Sequence, residues 1–147
     1  MDAAIGRHPT KKVARMIRDD GDPSYTDFEC LATAEWNGQA VCAMRATPKT
    51  GRTHQIRLHL AHVGLPILGD VLYLPARLQP VREPTTASDG SPPSLPHPAR
   101  QALHAAALTI DHPVTNEPLT IQAPLPTDMK EVASVLKLPV DMYVENV

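Results

Sequence analysis

Apolar positions along the chain change their period twice. In residues 28–35 and 40–46, small apolar side chains alternate with polar ones on either side of Trp36-Asn37-Gly38-Gln39. That is the pattern of two half-buried strands joined by an Asn-Gly hairpin turn. From Thr53 the period lengthens: Ile56, Leu60 and Val63 recur at i, i+4 and i+7, Gly64 follows, and Pro66 lies beyond. The spacing predicts a helix of about ten residues, capped by Thr53 and stopped at Gly64. Further on, residues 102–111 and 119–123 read as an antiparallel pair around a proline-containing turn. Met129, Val132, Ala133 and Leu136 form one face of a short helix that Thr127 would cap and that would run through Lys137.

Two stretches lack either period. The segment before Pro23 is polar, with Arg7, Lys11, Lys12, Arg15 and Arg18 ahead of Asp19-Asp20-Gly21-Asp22, and reads as a loop with a short turn. Residues 75–99 are rich in Pro, Ser and Thr and read as an inserted surface loop.

Composition bounds the class. A chain of 147 residues with 42% hydrophobic content is within the size of one domain. Aromatic residues are only 3%, so the core must be built from aliphatic side chains that bury less area than rings, and marginal stability is expected. Cys30 and Cys42 have no metal-ligand spacing. Hairpin pairing through Trp36 and Gln39 would set Cys30 opposite Arg45 and Cys42 opposite Thr33, on opposite faces, so two buried thiols in a reducing compartment are expected. No apolar stretch reaches about 18 residues, which argues against a membrane partner. Met1-Asp2-Ala3-Ala4-Ile5 has no secretory pattern, and an intracellular, cytoplasmic setting is expected, with an organelle or the nucleus left open.

The net charge of −2 excludes a strongly basic nucleic-acid binder, but the charge is unevenly spread. Residues 1–57 hold nine Lys and Arg against seven Asp and Glu, whereas residues 101–147 hold two against six. The cations therefore gather where the chemistry is most legible, in Lys49-Thr50-Gly51-Arg52-Thr53-His54-Gln55-Ile56-Arg57-Leu58-His59-Leu60. A helix start carries unpaired backbone N–H groups and the positive end of the macrodipole, so an anion could be held there by main chain and Arg52 together.

The string Gly-Arg-Thr-His-Gln-Ile-Arg-x-His-Leu-Ala-His, residues 51–62, resembles the signature of the RluA-type pseudouridine synthases, which isomerise selected uridines in RNA. The resemblance extends to Ile5-Gly6-Arg7-His8-Pro9-Thr10-Lys11-Lys12 upstream and Gly64-Leu65-Pro66-Ile67-Leu68-Gly69-Asp70-Val71-Leu72-Tyr73 downstream. Arg100-Gln101-Ala102-Leu103-His104-Ala105 and His112-Pro113-Val114-Thr115-Asn116-Glu117-Pro118 match the family's late strand pair, which ends at Ala123-Pro124-Leu125-Pro126. The family's catalytic aspartate stands in a His-Arg-Leu-Asp-x-x-Thr-Ser-Gly motif, and its active-site tyrosine on a Lys-x-Tyr-x-Ala strand. Neither string occurs among these residues, and Tyr25, Tyr73 and Tyr143 stand in other contexts.

The resemblance implies an α+β fold with a mixed or antiparallel sheet and short helices. Residues 1–147 would then be the C-terminal half of a catalytic domain, with the proline-rich loop at 75–99 as an insertion. It implies cleavage of the uridine C1′–N1 bond, rotation of the uracil and rejoining through C5, without metal or redox cofactor. Arg52 would fix and orient the absent aspartate. Lys49, His54, Arg57, Arg7, Lys11 and Lys12 would hold the RNA backbone. The implied partners are a structured, uridine-containing RNA and a missing N-terminal half of the same protein; without that half the chain is expected to be inactive. Two other readings stay open: an RNA-binding module that has lost catalysis, and a protein-interaction or structural fragment.

Overall fold

The computed structural model describes residues 1–36, 38–75, 98 and 100–139. In chain order the elements are β1 (Ile5–Arg7), β2 (Arg15–Ile17), β3 (Thr26–Trp36), β4 (Gln39–Pro48), α1 (Gln55–His62), β5 (Ala107–Asp111), β6 (Pro118–Gln122) and α2 (Thr127–Val135). Among the described residues the strands form three two-stranded antiparallel sheets, β1–β2, β3–β4 and β5–β6, and the fold is α+β as expected. Most of the proline-rich stretch expected to be an insertion loop lies outside the described residues.

The first segment is more ordered than its charge suggested. In place of a loop it forms the β1–β2 hairpin, in register Ile5↔Ile17, Gly6↔Met16 and Arg7↔Arg15. Ile5 and Ala14 are buried, and isolated bridges tie Asp2 to Tyr25 and Ile5 to Asp22. Gly21 permits that approach, because a Cβ there would lie 2.6 Å from the Ile5 carbonyl carbon. A few apolar anchors, spaced too irregularly to show a period, outweigh the charged surroundings.

The β3–β4 hairpin pairs Trp36 with Gln39 as expected, and both strands extend beyond the predicted limits. A bulge between Cys30 and Ala32 adds one residue to β3, so Cys30 faces Met44 rather than Arg45, while Cys42 keeps Thr33. One extra residue reverses the facing of everything beyond it. Both thiols therefore come to the same face, which corrects the expectation of opposite faces. Nor are both buried: Cys30 is exposed and Cys42 partly so, both as free thiols. Burial, and then the neighbouring Cys30, push the Cys42 thiol above its usual range.

Helix α1 starts later than predicted. Its N-cap is His54, in the left-handed region at φ 60°, with no side-chain cap; Thr53 lies outside the helix. Its buried residues are Gln55, Leu58, His59 and Leu60, whereas Val63, expected on the buried face, is half-exposed. Gly64, at φ 81°, ends the helix as predicted. Helix α2 begins at Thr127 with Pro126 as its N-cap, so Thr127 is a helical residue and not the cap. Its expected face packs: Ala133 and Leu136 join Ala43 and Leu138 in a core to which Ala32, Ala34, Trp36, Val41 and Val132 add. β5 is shorter than predicted and β6 is displaced by one residue, and His104 precedes the pair, bonded through Nε2 to the Ala123 carbonyl.

Small aliphatic residues fill this core incompletely. An apolar cavity of about 290 Å³ lies between β4, α1 and α2, lined by Val41, Met44, Ile56, Leu60, Ile67 and Leu136 among others. Among the described residues no helix is long and apolar enough to cross a membrane.

Candidate nucleic-acid interface

The β3–β4 hairpin delivers the chain to the turn at Lys49–Arg52, and Gln55 fastens that turn from beneath. Gln55 is 4% exposed, and its amide has all of its capacity used. Nε2 donates to the Tyr25 carbonyl at 2.8 Å and to Thr26 Oγ1 at 3.0 Å. Oε1 accepts from Thr50 Oγ1 at 2.8 Å and from the Arg52 backbone N–H at 3.0 Å. The Gln55 N–H returns to the Arg52 carbonyl at 3.0 Å, which completes a reciprocal pair like half of a capping box. Thr26 Oγ1 carries the network on to His59, which is fully buried, with Nδ1 at 2.9 Å from that oxygen and Nε2 at 3.0 Å from the Ala3 carbonyl.

These bonds take up the Arg52 main-chain donor and, of the helix-start donors that the sequence had offered to an anion, that of Gln55. Arg52 is exposed, its Nε donates to the Pro23 carbonyl at 3.3 Å, and among the described residues no carboxylate pairs with its guanidinium.

One turn along, a second network gathers His54, Arg57, Asp70 and Tyr73. Arg57 meets Asp70 in a two-pronged ion pair, Nε to Oδ2 at 2.7 Å and Nη2 to Oδ1 at 2.8 Å, with side-chain exposures of 11% and 0%. Asp70 Oδ1 also accepts the Leu72 and Tyr73 backbone N–H groups. Burial alone would push the Asp70 carboxyl up, but the Arg57 guanidinium and the two backbone donors together hold it below its ordinary value. The Arg57 guanidinium also lies 5.1 Å from the centre of the Tyr73 ring. The Tyr73 hydroxyl sits 2.9 Å from the Arg15 backbone N–H and 2.9 Å from His54 Nδ1. Burial, then the charges of Arg57 and Arg15, lower the His54 pKa, with Asp70 opposing them.

Between the β1–β2 hairpin and α1 lies an open groove of about 400 Å³. His8, Lys11, Arg15 and His62 line it above a floor that includes Leu58, Ala61, Leu72 and Tyr73, and among the described residues no acidic side chain lines it. Arg7 and Lys12 are exposed on the same hairpin outside the groove, and among the described residues neither pairs with a carboxylate. Lys49 is also exposed and lies 3.2 Å from Asp27.

Of the residues singled out in the sequence, the structure sets Lys49 and Arg52 on one turn, His54 and Arg57 in the Tyr73–Asp70 network, and Arg7, Lys11 and Lys12 on the β1–β2 hairpin. Sequence reasoning missed Gln55 as the fastener of the turn. Its place three residues after Arg52 was the available signal, since that is the spacing at which a first-turn amide reaches back to a preceding N–H. The pairing of Arg57 with Asp70 had no local signal, because it is made by tertiary closure.

The family model described as RNA pseudouridylate synthase matches residues 2–62, which include the hairpin, the Arg52 turn and α1. The ribosomal large subunit pseudouridine synthase D of Haemophilus ducreyi is 36% identical over 146 residues, 99% of this chain and 42% of that protein. The protein of the same name from Xanthomonas campestris is 39% identical over 136 residues, 92% and 39% of the two chains. That from Escherichia coli is 33% identical over 147 residues, 100% and 43%. The chain thus spans about two fifths of the length of these relatives. Human RNA pseudouridylate synthase domain containing 1 is similar in structure, with a TM-score of 0.64 at 26% identity over 94% of this chain and 58% of that one. Signature strings, fold and relatives agree: residues 2–62 match the RNA pseudouridylate synthase family model, and over nearly its whole length the chain is similar to RluA-type pseudouridine synthases.

Proposed function

We propose that this chain is the RNA-binding, arginine-bearing C-terminal half of a pseudouridine synthase catalytic domain, acting on a structured, uridine-containing RNA. The observation that carries this reading is the Arg52 turn: a buried amide holds its backbone, while the guanidinium stands exposed with no carboxylate partner among the described residues. Opening a glycosidic bond needs a carboxylate at the sugar, and a neighbouring arginine keeps such a carboxylate ionised and aimed. Arg52 takes that part toward an aspartate that these 147 residues do not supply in the family's motif, and without that aspartate its exposed guanidinium meets the RNA backbone. Lys49 and the hairpin cations Arg7, Lys11 and Lys12 contact phosphates and set register. Lys49 can exchange Asp27 for phosphate, because an exposed ion pair is weak. Arg57, already held by Asp70, positions Tyr73 and His54 instead of reaching the backbone. Ribosomal RNA is the substrate class suggested by the bacterial relatives' names.

On this reading the 147 residues bind RNA and leave uridine unchanged. The test incubates the chain with ribosomal RNA fragments, measures binding by fluorescence anisotropy, and separates the digested nucleosides to look for pseudouridine. Binding without pseudouridine is expected. Pseudouridine would overturn the assignment of inactivity, and absence of binding would overturn the reading as a whole.

A further inference from the structure

The hydrogen bonds around Tyr73 determine which nitrogen of His54 carries the proton. A phenol has one proton to give. The Arg15 backbone N–H can only donate, so at 2.9 Å it occupies a lone pair of the Tyr73 oxygen. Among the described residues, the acceptor bonded to the Tyr73 hydroxyl is His54 Nδ1, also at 2.9 Å. The reverse arrangement, with Nδ1–H donating to the phenol, would leave the phenol proton with no acceptor among the described residues. The rest of the network keeps the phenol in place: the His54 ring meets the Tyr73 ring edge-on at 5.6 Å and 75°, and Arg57 lies over the face of Tyr73. Asp70 holds Arg57 and, through its backbone bond to Tyr73, the start of that residue.

We infer that Tyr73 is a positioning residue that fixes His54 as its Nε2–H tautomer, so that the ring offers one uncharged donor, close in sequence to Arg52, to a carbonyl or ribose oxygen of bound RNA. His54 is only partly buried, and no described residue accepts a bond from Nε2. The groups that face the ring also suit the uncharged form. Arg57 from α1 and Arg15 from β2 disfavour a second proton and outweigh Asp70, which favours it. An uncharged donor matches an uncharged oxygen; a cationic one would favour phosphate. The tautomer follows from the protein's own hydrogen bonds, whereas its ligand rests on the RNA reading proposed above.

Nitrogen-15 NMR of the histidine-labelled chain at neutral pH decides the tautomer without any RNA, with the His54 signals identified by their loss in His54→Gln. The expected result is an unprotonated Nδ1 and a protonated Nε2. A protonated Nδ1, or a rapidly averaged mixture, would overturn the assignment. In Tyr73→Phe the lock is absent and the two nitrogens should average; an unchanged spectrum would overturn the role of Tyr73. If that variant fails to fold, the wild-type spectrum still decides the tautomer. Binding to a uridine-containing hairpin RNA then tests the ligand. His54→Ala should weaken binding about tenfold, and His54→Gln, which retains a donor, should restore part of it. The salt dependence of binding should stay that of wild type in both, whereas a lost phosphate contact would reduce the slope by about one. A reduced slope would overturn the uncharged-donor role. If the wild-type chain binds no RNA, the ligand half falls together with the proposed function, while the tautomer remains decided by the spectrum.

Discussion

Arg57 and Asp70 show how a cation in a motif can be tied into the fold. Each of the two stands almost fully inside the protein, and each is the other's counter-charge. Removing one partner of a buried pair leaves the other charge unpaired, so Asp70→Asn should cost about 3 kcal/mol of stability, read from urea unfolding at neutral pH. The pH dependence follows from the depressed carboxyl. Below its ordinary value the unfolded chain takes up a proton that the folded chain resists, so stability is complete above about pH 4 and is lost as the pH falls through the folded pKa. Asp70→Asn should remove that part of the acid sensitivity, and an acid profile identical to wild type would contradict this account of the pair. Gln55 was legible in principle from its spacing to Arg52. The Arg57–Asp70 pair was not, because nothing in the intervening sequence announces that Gly69 and Asp70 fold back onto α1.

At the scale of elements, the two helices end alike with different residues. After α1, Gly64 N–H bonds to the Ala61 carbonyl and Leu65 N–H to the Leu60 carbonyl. After α2, Lys137 N–H bonds to Ser134 and Leu138 N–H to Ala133. Both are the paired closure in which the residue after the cap turns left-handed, at φ 81° for Gly64 and 54° for Lys137. A Cβ at Gly64 would meet nothing within 4 Å, so Gly64→Ala should cost only the conformational strain, about 1 kcal/mol. Lys137→Gly should gain a similar amount, and thermal unfolding of the two variants should shift in opposite directions. The stop at Gly64 could be read from the sequence because glycine marks it. The stop of α2 carried no such mark, and the predicted helix ran on through Lys137. The same limit applied to β3: its alternation and turn fixed the partner strand and the Trp36–Gln39 pair, but one bulged residue near Leu31 has no signature and reversed the facing of Cys30.

Across the whole molecule, the apolar surface is as informative as the core. Leu108 pairs with Ile121 and Ile110 with Leu119, which places four aliphatic side chains on one face of the β5–β6 ribbon. They are 39–59% exposed, while Thr109 and Thr120 bond to each other on the opposite face. A contiguous apolar face of this kind drives association. The chain alone should therefore self-associate as its concentration rises, and a Leu108→Ser, Ile121→Ser double variant should remain smaller by light scattering after size-exclusion chromatography. An unchanged association would place the contact elsewhere. The α+β class and the order of strands and helices were readable from periodicity and from the family resemblance. The β1–β2 hairpin was hidden because its anchors, Ile5 and Ala14, are too few to make a pattern among so many charges.

The claim that ties these scales together is that a turn built by Gln55 presents Arg52 to RNA. The affinity of wild-type and Arg52→Ala chains for a uridine-containing ribosomal RNA hairpin, measured by anisotropy over a range of salt, tests it most directly. Gln55 uses the Arg52 backbone and not its side chain, and the side-chain bond lost, Nε to the Pro23 carbonyl, is long and exposed, so the variant should fold with near wild-type stability. It should bind about tenfold more weakly, with a shallower salt dependence. Equal affinity of the two chains, in the presence of measurable binding by wild type, would contradict it.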